Sequence, residues 1–174
     1  MNIPSTQLPP PIPAQRPVRI LFVCLGNICR SPAAHGMMQA LVDSRHMSES
    51  FLIDSAGTGG YHIGSLPDSR MRAHARRRGL SLDHRCRQVC ESDFTDFDII
   101  IGMDASNIAN LRRMAPSPEA MAKVIPMSAF FSLATRYDHV PDPYYEGAEG
   151  FELVLDLLDD ATLNLLDTIV AARD

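Results

Sequence analysis

The chain alternates between two kinds of hydrophobic pattern. Short, continuous apolar runs of β-branched and aromatic residues appear at 18–23, 51–56, 97–103 and 121–125. Runs of this length suit strands buried on both faces of a parallel sheet. Between them lie longer stretches with apolar residues at helical spacing. Helices are predicted from Ser31 to about Arg45, over 67–78, over 105–114 and over 149–172. In the last of these Phe151, Val154, Leu155, Leu158, Leu165 and Ile169 recur on one face. The punctuation agrees: Ser31-Pro32 reads as an N-cap followed by a first-turn proline, Gly79 as a stop and Asp104 as a cap.

Strands alternating with helices predict an α/β fold, one three-layer domain with a four-stranded parallel sheet flanked by helices, flavodoxin-like in plan. Right-handed crossovers bring the loops that follow the strands to one edge, where such sheets bind ligands. The loop after the first strand, 24–30, belongs to that edge. Residues 1–17 carry six of the 13 prolines and no apolar run. They are expected to form an extended, flexible tail ahead of a single folded domain over 18–174, and they do not resemble a secretory signal.

Composition narrows the function classes. With 45 % hydrophobic and 21 % charged residues among 174, the chain can build a core. No segment reaches the ~20 apolar residues of a membrane helix. A net charge of −5 argues against a nucleic-acid partner. Arginines crowd 70–87, whereas nine acids and one arginine occupy 142–174. The four cysteines are too few for a disulfide scaffold, and their spacings fit no zinc pattern. Reduced thiols in the cytoplasm, with no metal and no cofactor, are therefore expected.

The chemistry concentrates in Cys24, Leu25, Gly26, Asn27, Ile28, Cys29, Arg30 and Ser31. A loop from strand to helix turns backbone N–H groups inward, and the helix N-terminus adds partial positive charge. Gly26 is expected to permit the turn. Arg30 offers a planar fork for two phosphate oxygens. The same donors favour the thiolate form of Cys24, so a cradle for a phosphate dianion also activates a nucleophile. The Gly-Lys-Ser/Thr ending of a nucleotide-triphosphate loop is absent. A phenolate leaving group gains from a proton, and Asp142, stiffened between Pro141 and Pro143, is a candidate acid. Tyr61, Tyr144 and Tyr145 are candidate walls for an aromatic ring.

These residues resemble the low-molecular-weight protein tyrosine phosphatase family. The likeness runs from about Arg19 onward and rests on four blocks. They are Cys-Leu-Gly-Asn-Ile-Cys-Arg-Ser-Pro at 24–32, Asp-Ser-Ala-Gly-Thr at 54–58, Met-Asp-Ala-Ser-Asn at 103–107 and Asp-Pro-Tyr-Tyr at 142–145. The resemblance implies a phosphocysteine intermediate on Cys24, a phosphoryl clamp in Arg30 and an acid, later a base, in Asp142. It implies that Asn27 and Ser31 hold the loop, with Ser31 assisting the thiolate, and that His84 and Asp104 support the loop and Arg30. Tyr61 matches a wall position often held by tryptophan, which this chain lacks. The implied partner is a phosphotyrosine protein, with a tyrosine kinase among the candidates. Two rival readings remain at this stage. A thiol-dependent arsenate reductase would recruit Cys86 and Cys90, although they are spaced more closely than that family's resemblance leads one to expect. A non-catalytic phosphotyrosine-binding module would have no need of Cys24 together with Asp142.

Overall fold

The computed structural model describes Leu8 and residues 12–132 and 136–173. Four strands, β1 (Val18–Cys24), β2 (Phe51–Gly57), β3 (Ile99–Gly102) and β4 (Val124–Pro126), form one parallel sheet in the order β2-β1-β3-β4. Six α-helices accompany them: α1 (Arg30–Ser44), α2 (Ser69–Arg77), α3 (Asp93–Asp96), α4 (Ala105–Met114), α5 (Pro118–Met121) and α6 (Ala148–Arg173). The predicted fold class stands.

Both faces of the sheet are covered. On one side Ile20, Phe22, Ile99 and Ile101 pack with α1 and α6 residues such as Met38, Val154 and Leu158. On the other, Leu21, Val23 and Ile100 meet Phe94, Phe97, Ile108 and Leu111. This alternation explains why β1 and β3 are apolar without interruption. The chain leaves β1 for β2 on one side and later returns to β3 on the other. β1 therefore ends at the point where the strand order reverses, and the loop from Cys24 to Arg30 starts there.

Several boundaries differ from expectation. The two short helices α3 and α5 have no long periodic signal; α5 takes up Met121, which the apolar run at 121–125 assigned to a strand, and β4 starts at Val124. Helix α2 starts at Ser69, two residues later than expected, and Asp68 caps it, accepting from the backbone N of Arg70 at 2.8 Å and of Met71 at 3.3 Å. Ser31 is not an N-cap. Helix α1 begins at Arg30 after Cys29, and Ser31 lies inside its first turn with its hydroxyl directed back to the loop.

The expected flexible tail lies partly outside the described residues. Its described part is anchored. Leu8 is buried in the main core and Ile12 packs against it, a burial of about 1.5–3 kcal/mol for a leucine. Arg16 forms a two-pronged pair with Asp98 at 2.9 and 2.6 Å, and Arg173 donates to the carbonyls of Ala14 and Arg16. Isolated apolar residues among prolines leave no periodic pattern in the sequence, so the burial of Leu8 has no local signature.

Candidate active site

The loop between β1 and α1 is shaped from behind. Asn27 adopts a left-handed conformation, φ 58°, which an asparagine tolerates better than most residues. Its side chain holds that shape: Nδ2 donates to Ser31 Oγ at 2.8 Å, and Oδ1 accepts from the backbone N of Arg87 at 3.0 Å. The Cys86 thiol donates to the Asn27 carbonyl at 2.8 Å, and Asp68 N donates to the Ile28 carbonyl at 2.8 Å. The positive φ thus falls on Asn27 and not on Gly26. What Gly26 supplies is room, since a Cβ there would come within 3.1 Å of the His62 ring. Gly57 is more constrained. A Cβ at that position would meet the Leu25 carbonyl at 2.7 Å and the Asn27 amide at 3.0 Å, so the end of β2 can approach the loop only as glycine.

Cys24 sits at the base of this loop, with Ser31 Oγ 3.0 Å from its Sγ. Arg30 is only 3 % exposed. Its Nη1 donates to Asp104 Oδ2 at 2.7 Å and to the Val140 carbonyl at 3.0 Å, while Nη2 lies 3.7 Å from Asp142 Oδ2. Burial works against the charge of Arg30, but Cys24, Asp104 and Asp142 outweigh it and the guanidinium stays protonated. Asp104 does two tasks at once, since its Oδ1 caps α4 through Asn107 N at 2.8 Å in a reciprocal capping box. Burial, followed by the charges of Asp68 and Cys24, drives the Cys29 thiol far above its ordinary range.

Cys24, Leu25, Gly26, Ile28, Cys29, Arg30, Tyr61, Asp142, Tyr144 and Tyr145 line one cleft of about 310 Å³. Residues from three distant stretches of sequence therefore meet there as expected. Asn27 and Ser31 lie behind the loop, and Asp104 lies behind Arg30. Tyr144 and Tyr145 meet edge to face at 4.9 Å, and Arg70 lies over the Tyr144 ring at 5.3 Å. Tyr61 and Tyr145 are largely exposed and form the rim. His84 touches the loop only at one remove. Its Nδ1 faces Asp54 at 3.6 Å and its ring meets His35 at 5.0 Å; Asp54 pairs with Arg87, which in turn binds Asn27.

Sequence reasoning overlooked His62, which also lines the cleft, and Cys86, Arg87 and Val140, which brace it. His62 adjoins Tyr61 and was within reach of a local reading. The other three act through contacts 59 to 110 residues distant in sequence, for which no local pattern exists.

The family model described as low molecular weight phosphotyrosine protein phosphatase matches residues 19–173. The chain belongs to this family. A low molecular weight protein-tyrosine-phosphatase of Streptomyces coelicolor is 40 % identical over 152 residues, covering 87 % of this chain and 93 % of that protein. Among solved structures, a protein tyrosine phosphatase from Entamoeba histolytica with Hepes in its active site superposes with a TM-score of 0.86 at 41 % identity, covering 90 % of this chain and 99 % of the other. YfkJ from Bacillus subtilis gives 0.84 at 39 % identity, covering 91 % and 98 %. The chain is thus a phosphotyrosine phosphatase, and neither the reductase nor the binding-module reading is needed. In keeping with this, Cys86 is committed to the Asn27 carbonyl and Cys90 lies apart beside Ser92 and Asp93. No helix among the described residues is long and apolar enough to cross a membrane.

Proposed function

We propose that the enzyme hydrolyses phosphotyrosine in cytoplasmic proteins, tyrosine kinases among them, through a phosphocysteine on Cys24. The observation that carries this reading is the convergence of Cys24, Arg30 and Asp142 on one cleft, with Nη2 of Arg30 turned toward Asp142. In the first step the Cys24 thiolate attacks phosphorus in line. An S–P bond forms, the P–O bond to the aryl group breaks, and Asp142 gives its proton to the departing oxygen. The amides of the loop and the free edge of Arg30 hold the equatorial oxygens, where charge is concentrated during transfer. In the second step Asp142 takes a proton from water, the oxygen attacks phosphorus, and the S–P bond breaks to release inorganic phosphate and the thiolate. Ser31, within 3.0 Å of Sγ, stabilises that thiolate as a leaving group. The tyrosine rim suits an aryl ring, and the recessed position of Cys24, which is 3 % exposed, favours a side chain as long as phosphotyrosine over phosphoserine.

Acid quenching during turnover of a labelled aryl phosphate tests this. Label should appear on Cys24, and Cys24→Ser should lose both label and turnover while keeping its thermal transition. Label on any other residue would overturn the assignment.

A further inference from the structure

A second cluster of chemically capable side chains lies outside the cleft. His35 on α1, Asp54 on β2 and His84 in the segment before Cys86 each present a ligand-type atom within 4.8 Å of the other two. The His84–Asp54 pair is already at 3.6 Å. In a tetrahedral zinc site with bonds of about 2.0–2.2 Å, neighbouring donor atoms lie roughly 3.3 Å apart. Closing the set therefore requires a shift of His35, a partly buried side chain, on the order of 1 Å.

We infer that His35, Asp54 and His84 form a site for a divalent transition metal, zinc foremost, on the flank of the catalytic loop. Three observations support it. The donor set, two imidazoles and a carboxylate, suits zinc and its neighbours and not magnesium or calcium, which favour oxygen. His35 Nδ1 is bonded to Ser55 Oγ at 3.2 Å, which fixes its ring plane in the manner of an outer-shell partner. Finally, His35 and His84 line an open cleft between α1 and the chain at 79–84, which gives an ion a path of entry and a water a coordination position.

The surrounding charge is compatible. Arg87 faces Asp54, but through Oδ2, and shares itself with Asp93 at 3.0 Å from two nitrogens. Asp83 lies close enough to act on His35 electrostatically. Three carboxylates, Asp54, Asp83 and Asp93, thus stand against one guanidinium, leaving two negative charges for a divalent ion. The catalytic Cys24 takes no part.

The test uses the full chain in the Cys24→Ser form, which removes competition from the active-site thiol. Titration with Co²⁺ should saturate at one ion per chain, with visible bands of nitrogen and oxygen ligation and no thiolate charge-transfer band in the near ultraviolet. With zinc, imidazole resonances of His35 and His84 should shift, while those of the other four histidines stay in place. His35→Gln should weaken binding by about tenfold or more and remove the metal-induced rise in melting temperature, with phosphatase activity of the otherwise native chain unchanged. Thiolate bands, shifts at other histidines, or undiminished affinity in His35→Gln would each show that the metal sits elsewhere. A cluster that takes up no metal at all would equally overturn the site and leave it a hydrogen-bonded brace.

Discussion

Arg30 and Asp104 are joined at 2.7 Å beneath the catalytic loop, and the same arginine faces Asp142 at 3.7 Å through its other terminal nitrogen. One carboxylate fixes the guanidinium so that its remaining edge is held ready in the cleft. Asp104 is itself fixed by the capping box of α4, so the aim of Arg30 is set by a helix terminus and not by a free side chain. Asp104→Asn should therefore lower kcat/KM by about 10–100-fold, the range expected for loss of a charge-assisted bond. Inhibition by inorganic phosphate should weaken in parallel. Phosphate affinity that does not change would mean that Asp104 serves only the helix.

Asp142 is nearly half exposed and is positioned by its two prolines and by the Tyr144 amide, which donates to Oδ1 at 3.1 Å. Asp142→Ala should slow kcat by about 10²–10⁴-fold on phenyl phosphate. The loss should shrink as the leaving group becomes more acidic, because a good leaving group has less need of a proton. A uniform loss along a series of substituted phenols would assign Asp142 a structural task instead.

Cys29 lines the same cleft as Cys24, five residues along a loop that curls back on itself. Its thiol, raised far above the ordinary range by burial, stays protonated and is no rival nucleophile. As a thiol it can still condense with an oxidised Cys24: peroxide converts the Cys24 thiolate to a sulfenic acid, the Cys29 sulfur displaces its hydroxyl to form the disulfide, and the Cys29 proton leaves with that hydroxyl as water. Mild peroxide should inactivate the parent reversibly, with bound phosphate protecting it. Cys29→Ser should recover much less activity on treatment with dithiothreitol. Equal recovery in the two proteins, or mass spectra that pair Cys24 with Cys86, would refute the safeguard.

The Arg16–Asp98 pair ties the N-terminal segment to the sheet, with Arg19 N and Lys123 adding to the stabilisation of the carboxylate. Although burial opposes it, these partners hold the Asp98 carboxyl below its ordinary 3.8. A carboxyl lowered in the folded state binds its proton more readily when unfolded, so its contribution is present above the ordinary value and lost as the pH falls through the folded one. The melting temperature of Asp98→Asn should fall below the parent's at neutral pH, and the gap should narrow below about pH 4. A gap that persists unchanged in acid would point to packing and not charge.

Much of this was legible in the sequence, and for identifiable reasons. β1 and β3 announce themselves because burial on both faces leaves an unbroken apolar run. Cys24 and Arg30, the proposed nucleophile and clamp, fall within seven consecutive residues, so their joint geometry is a local matter. Asp142, which lines the cleft, stood out in the sequence because two prolines restrict its backbone. By contrast, α3 and α5 are single turns without room for a period. The bracing of Asn27 by Cys86 and Arg87, and of Arg30 by Val140, depends on which distant segments the fold brings together. Leu8 was missed because one apolar residue in a proline-rich stretch looks the same whether it packs or not.

The Cys86–Asn27 contact has one more implication. A fragment ending before residue 80 would still carry Cys24, Arg30, Ser31 and the strands β1 and β2. Of the contacts that hold Asn27 in its left-handed turn it would keep the bond to Ser31, but those from residues 86 and 87 arrive 59 and 60 positions downstream. Nor would it contain Asp104 or Val140 to aim the arginine. During synthesis, then, the reactive thiol leaves the ribosome long before the residues that shape its surroundings. Competence for phosphoryl transfer is acquired late, and a half-made chain does not pass through a working active site.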